Sequence, residues 1–309
     1  MYMLYDLIII GGGVAGLGAA VYAARYEMNV LVVAGNFGGL LLQTHLVENY
    51  IGFKSISAIE LTNNIIEHAK SYKKVTMKEA MVNDIKKLKN SVKIKTTKGE
   101  FEGKTILFAT GSFHRQLGIP GEKEYSGKGV SYCGTCDAPM FHNKTVAIIG
   151  GSDSAAKESI LLAQFAKKVY IISRGEKLRA EPVNFKNVLA NKKIEIIYKT
   201  NVKEVKGKQF VTNIILDNEY KGSTELKLDG MFIEIGYIPK TELAEKIGVK
   251  TNKKHEIIVD KHSQTNVDGV YSAGDCTDYD FKQAITGVAQ GAHAAQAAYE
   301  YIKNLKVDY

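Results

Sequence analysis

The sequence predicts an α/β fold of two Rossmann-like domains. Each is a three-layer (ββα), parallel-sheet unit of dinucleotide-binding type, and the second is inserted into the first. Three observations carry this reading. A strand–glycine turn–helix–strand unit that starts at Tyr5 recurs from Thr145. Glycine is frequent (29) and proline scarce (4), and many glycines directly follow β-branched runs. The 309 residues match two domains at about 150 residues each. A content of 45% hydrophobic and 24% charged residues excludes disorder, collagen and coiled coil.

The elements follow in order. YDLIII, GGGVAG, LGAAVYAARYE and NVLVVA (5–34) form strand, turn, helix and strand, with the near-continuous apolar strands of a buried parallel sheet. SAIELTNNIIEHAKSY (57–72) predicts a helix whose apolar face is Ile59, Ile65, Ile66 and Ala69. Residues 91–109 alternate and turn at Lys98–Gly99, giving a hairpin that leads into TILFATG. TVAIIGGSDSAAKESILLAQFAKKVYIIS (145–173) repeats the first unit, and a strand-rich stretch closes on GMFIEIG. VDGVYSAGDC and the helical TGVAQGAHAAQAAYEYIKNL complete the chain. The expected boundaries are 1–113 and 244–309 for the split first domain and 114–243 for the insertion.

Net charge is +8, which bears on partners and not on fold. With no recognised motif and no aromatic-interleaved basic run, nucleic acid is not an expected partner. The apolar run in MYMLYDLIII is too short to cross a bilayer and lacks a basic leader and cleavage site. It reads as a strand, with no membrane association expected and a cytoplasmic protein. Three cysteines, an odd number, also point to a reducing compartment.

Gly11, Gly13 and Gly16 form G-x-G-x-x-G between a strand and a helix. One glycine permits the turn, one lets backbone approach a pyrophosphate, and one lets helix and strand pack closely. The helix N-terminus adds oriented N–H groups. An acid for ribose is missing, since Ala34 and Gly35 stand at the end of the second strand. Cys133 and Cys136 form a C-x-x-C. Two thiols so spaced suit thiol–disulfide exchange. The alternative is half a zinc site, which would have to recruit Cys276, His114 and His142; no metal is expected. Asp137 reads either as a functional acid or as a cap, Cys276 as a packed thiol, and Tyr309 as part of a poorly ordered terminus.

Cys133-Gly-Thr-Cys136-Asp137, a second βαβ unit about a dozen residues on, GGGVAGLGAAVYAAR, GG…VENYIGF (38–53), ATG (109–111), GYIPKTEL (236–243) and GVYSAGDC…KQAITGVAQG (269–291) resemble, in order, the low-molecular-weight thioredoxin reductase family. The resemblance implies an FAD-containing homodimer that reduces thioredoxin. It places Gly11, Gly13, Gly16 and Gly39 at the FAD, with Ala109, Thr110 and Gly111. Asn49 falls near the flavin, Gly274 and Asp275 at the ribityl–phosphate region, and Gln283 and Ala284 at the isoalloxazine. It assigns Cys133 as the thiol that attacks thioredoxin, Cys136 as the flavin-facing thiol, and Asp137 as the proton donor and acceptor.

Two stretches depart from the family. The second glycine turn reads Gly150-Gly151-Ser152-Asp153-Ser154-Ala155, with Ser152 in place of a glycine and Lys157 in place of an acid in the next helix. Where a His-Arg-Arg run would grip a 2′-phosphate stand Ser173, Arg174 and Gly175, followed by Lys177 and Arg179; lysine does not replace a bidentate arginine. Leu40 also replaces a glutamine beside the flavin. These departures favour reduced ferredoxin, an acidic one-electron donor steered by the basic charge, as in the ferredoxin-dependent subgroup of the family. NADPH or NADH at an eroded site is the alternative, and a non-enzymatic flavin-binding redox sensor is the second.

Overall fold

The computed structural model describes residues 4–43 and 46–305. The chain divides into two compact units, one holding the residues up to Phe113 and from Ile238 onward, the other being His114–Tyr237. The second crossing falls between Tyr237 and Ile238, ahead of the expected 243–244. The reason is local: Leu243 and Ala244 already pack in a core of the first unit with Ile8, Ile10 and Ile257.

In the first unit, β1 (Leu4–Gly12), α1 (Val14–Arg25), β2 (Val30–Phe37), α2 (Ala58–Lys70), β3 (Val75–Glu79), β4 (Val82–Lys87), β5 (Val92–Thr96) and β6 (Gly99–Phe108) follow in order. The sheet runs β3-β2-β1-β6-β5-β4. β1 is parallel to both β2 and β6, with Ile9 opposite Val32 and Leu107. Besides β1, β6 has two further partners: its first half pairs antiparallel with β5, and its second half pairs parallel with the strand Val270–Ser272. Burial explains the apolar run of β1. Leu7 and Ile9 face one core, where α1 meets the C-terminal helix Ala284–Leu305 through Ala15, Ala19, Ala294 and Ala298. Ile8 and Ile10 face the opposite core, with Leu31, Val33, Ile94 and Phe108.

Helix α2 lies where its periodicity predicts, with Ser57 Oγ accepting the Glu60 N–H as N-cap. Its inner face keeps Ala69 and Ile65 of the expected one but not Ile59. Ala58, Leu61, Thr62 and Ala69 are buried, whereas Ile59 is 61% exposed. The core against α2 is a small satellite of Val47 and Ile56, and it is met by the Leu61 side of the helix.

The second unit contains β7 (Val130–Ser131), α3 (Gly134–Asp137), β8 (Thr145–Ile149), α4 (Asp153–Phe165), β9 (Lys168–Ile172), α5 (Pro182–Ala190), β10 (Ile194–Ile197), β11 (Val202–Gly207), β12 (Val211–Tyr220), β13 (Ser223–Lys227) and β14 (Gly230–Ile233). Its parallel sheet runs β7-β14-β8-β9-β10. β11, β12 and β13 form an antiparallel sheet. Alternate residues of β8 again face opposite cores. Ala147 and Ile149 join Val205 and Ile214 of the antiparallel sheet, while Val146 and Ile148 join Ala155 and Leu162 of α4. Among the described residues no helix is long and apolar enough to cross a membrane.

Candidate active site

Within the first unit, the carboxyl ends of β1 and β6 meet where the strand order reverses, the usual place for a ligand crevice in such a sheet. Ala109 N–H donates to Ile10 O at 2.8 Å, and Ala273 N–H to Phe108 O at 2.9 Å, so three strands end side by side. Gly11 has φ +124°, and a Cβ there would overlap the Ala109 carbonyl; the turn therefore requires glycine. Gly13 N-caps α1 without a side-chain bond, the first turn holds no acid, and among the described residues a Cβ on Gly13 would meet nothing within 4 Å. The result is an uncapped helix N-terminus facing open space, suited to a diphosphate.

Of the other predicted residues, Gly39, Ala109 and Gly274 lie directly beside this turn. Gly39, at φ +59°, packs over Gly13, with its Cβ direction 3.2 Å from the Gly13 Cα. Gly111 O accepts the Lys240 N–H at 3.0 Å and Thr110 Oγ donates to Lys240 O at 2.5 Å, tying that segment down. Gly274 N–H donates to Gln290 Oε1 at 2.7 Å. Burial pushes the Asp275 carboxyl upward, against the opposing charge of Lys282. Lys282 donates to the Asp275 carbonyl and pairs with Glu256. Asn49 Nδ2 donates to Gln283 Oε1 at 3.0 Å across 234 residues of chain. Ala284 opens the C-terminal helix.

In the second unit, Cys133 is disulfide-bonded, and the side chain of Cys136 lies outside the described residues, as does Tyr309. Cys133 precedes α3, and Asp137 N–H donates to Cys133 O at 3.2 Å. Ser131 Oγ accepts the Cys133 N–H at 3.1 Å. Gly134 N–H donates to Glu158 Oε1. Cys276 belongs to the first unit as a free, fully buried thiol at 3.4 Å from the Ala273 carbonyl. Among the described residues no group of three or more His, Cys, Asp or Glu could hold a metal.

The second glycine turn opens α4. Ser152 is its N-cap residue but makes no side-chain cap bond. Arg179 N–H donates to Gly151 O at 2.7 Å, so the segment after β9 lies against the turn. Asp153 is held by Glu181 N–H, Asn184 and Lys157. Ser173 is buried and its Oγ accepts the Gly175 N–H at 3.2 Å. Arg174, Lys177 and Arg179 are exposed.

Sequence reasoning missed Glu158 and Glu234. Both were signalled: Glu234 is the single acid in the apolar run GMFIEIG, and Glu158 lies three residues from the buried Ala155 on α4.

Comparison with known proteins matches residues 5–296 to the pyridine nucleotide-disulphide oxidoreductase family. The chain is 37% identical to a thioredoxin reductase of Bacillus subtilis (strain 168), covering 98% of this chain and 96% of that one. A crystal structure of Lactococcus lactis thioredoxin reductase in its FR conformation aligns with TM-score 0.93 at 37% identity, covering 97% and 99% of the two chains. A ferredoxin-flavin thioredoxin reductase from Clostridium acetobutylicum aligns with TM-score 0.53 at 30% identity, covering 97% and 98%.

Proposed function

This chain belongs to the pyridine nucleotide-disulphide oxidoreductase family, and from that premise we propose that it is an FAD-containing thioredoxin-disulfide reductase that draws electrons from a reduced pyridine nucleotide. The observation that carries the reading is the disulfide at Cys133, in the unit that also repeats the dinucleotide-type turn. The first unit fits FAD: the open, acid-free N-terminus of α1 suits its diphosphate, Gly39, Ala109 and Gly274 lie beside the same turn, and Thr110, Gly111 and Asp275 adjoin them in the chain. Asn49, Gln283 and Ala284 would hold the ring end. Bound FAD supplies two-electron chemistry that also accepts electrons singly.

The chain's own part is disulfide exchange. In the dithiol form, Cys133 Sγ attacks the thioredoxin disulfide, forming a mixed disulfide and expelling one thioredoxin thiolate. Cys136 Sγ then attacks Cys133 Sγ, the second thioredoxin sulfur leaves, and the enzyme disulfide re-forms. Two electrons and two protons pass to thioredoxin, and Asp137 holds the proton exchanged with the sulfurs. The protein acts as a homodimer in the cytoplasm.

The family description and the similarity to the B. subtilis and L. lactis enzymes support the pyridine nucleotide. So do the uncapped N-terminus of α4 and the exposed Arg174, Lys177 and Arg179 beside it. A second reading, reduced ferredoxin as donor, is favoured by Ser152 on the phosphate approach and by Gly175 in place of an arginine. Anaerobic stopped-flow with NADPH, NADH and reduced ferredoxin side by side separates the two. Rapid flavin bleaching by a nucleotide at micromolar concentration is expected, and bleaching by ferredoxin alone would overturn the choice of donor.

A further inference from the structure

Behind the Cys133–Gly134 peptide stand two carboxyl groups that no step above uses. Glu158 reaches from α4, and its Oε1 accepts the Gly134 N–H. Glu234 follows β14 and is 6% exposed, and burial together with the nearby Glu158 carboxyl pushes its own carboxyl upward. Among the described residues, Glu158 Oε2 is buried without a donor. Two neighbouring ionised carboxylates would repel and leave that oxygen orphaned, whereas one proton between them removes both penalties. Glycine at 134 fits the same arrangement, because a Cβ there would overlap the Glu158 carboxyl.

We propose that Glu158 and Glu234 share a single proton, and that this proton makes Glu158 a positioning residue holding the Cys133–Gly134 peptide for disulfide exchange. Glu234 in its acid form donates to Glu158, so one negative charge serves one backbone N–H. Loss of the proton would set two charges against each other and push Glu158 off Gly134. Burial and the neighbouring carboxylate push both groups upward, so one proton is retained at neutral pH. The charged group facing the pair from α3 is Asp137, which raises Glu158 further. No lysine or arginine is hydrogen-bonded to either carboxyl among the described residues. The inference rests on Cys133 being the redox sulfur.

Infrared difference spectra and thioredoxin turnover across pH, on the FAD-loaded protein, test it. The wild type should show a protonated-carboxyl band at neutral pH that Glu234→Gln removes, and its turnover should fall on the alkaline side. Glu234→Gln keeps a donor to Glu158, so its turnover at neutral pH should stay within about twofold while the alkaline fall disappears. Glu158→Ala should lose about tenfold in turnover, and Glu158→Gln, which can still accept from Gly134, should recover most of it. Absence of the band, or an unchanged alkaline fall in Glu234→Gln, would overturn the shared proton. A Glu158→Ala variant at wild-type rate would overturn the positioning role. If wild-type protein shows the band yet reduces no disulfide, the functional reading fails, and the role of the pair in exchange fails with it.

Discussion

Gly134 illustrates how one residue couples backbone to chemistry. The C-x-x-C spacing leaves its identity open, but Glu158 occupies the space a Cβ would need. Gly134→Ala should therefore displace Glu158 and lower thioredoxin reduction about tenfold, the effect of one lost charge-assisted hydrogen bond, while near-ultraviolet circular dichroism stays unchanged. Gly13 poses the opposite case, since space beside it is open. Gly13→Asp should fold, yet its carboxylate would face the diphosphate at the α1 N-terminus. The purified variant should then carry at least tenfold less flavin by visible absorbance, as like charge replaces an attractive terminus. Cys133→Ser should leave flavin content intact and abolish thioredoxin turnover; residual turnover above about one per cent would argue for another attacking sulfur.

At the scale of elements, α1 and the C-terminal helix approach so closely that a Cβ on Gly291 would overlap the Ala15 carbonyl. Gly291→Val should thus force the helices apart and destabilise the first unit by about 1–3 kcal/mol, read as a lower thermal midpoint. The strand–turn–helix units and the hairpin at Lys98–Gly99 were legible in the sequence because each buried strand is an unbroken apolar run and each turn is marked by glycine. The inward face of α2 was legible only in part, through Ala69 and Ile65. Ile59 fits the helical period but is exposed, because the period fixes a face only relative to a partner, and that partner is the small core around Val47 and Ile56. The candidate residues near the first glycine turn could be ordered along the chain, but the Asn49–Gln283 bond spans 234 residues and no local pattern encodes it. Glu158 and Glu234 stayed hidden for a related reason: a lone acid in an apolar run gains meaning only when a second one faces it.

For the whole molecule, the carboxyl pair makes stability depend on pH. Glu234 is pushed up to about 10 by burial and by Glu158, while both groups in the unfolded chain titrate as ordinary carboxylates. Between that ordinary range and about 10 the folded state binds the extra proton, so its contribution is full at acid pH and is lost as pH rises. The expected slope is at most about 1.4 kcal/mol per pH unit for one retained proton. Urea midpoints from pH 6 to 9 should fall in the wild type and fall less in Glu234→Gln; equal slopes would place the proton elsewhere.

The interleaving of the two units also sets an order of events during synthesis. Domains tend to fold as units as the chain emerges, and His114–Tyr237 is a continuous stretch. The first unit is not: Val270–Ser272 and the helix from Ala284 pair with and cover a sheet begun at Leu4. The ribosome thus completes the disulfide-bearing insertion while the first unit still lacks the strand Val270–Ser272 and the helix from Ala284. Translation pauses beyond residue 240 are therefore expected to lengthen the interval in which six of the sheet's seven strands wait for Val270–Ser272.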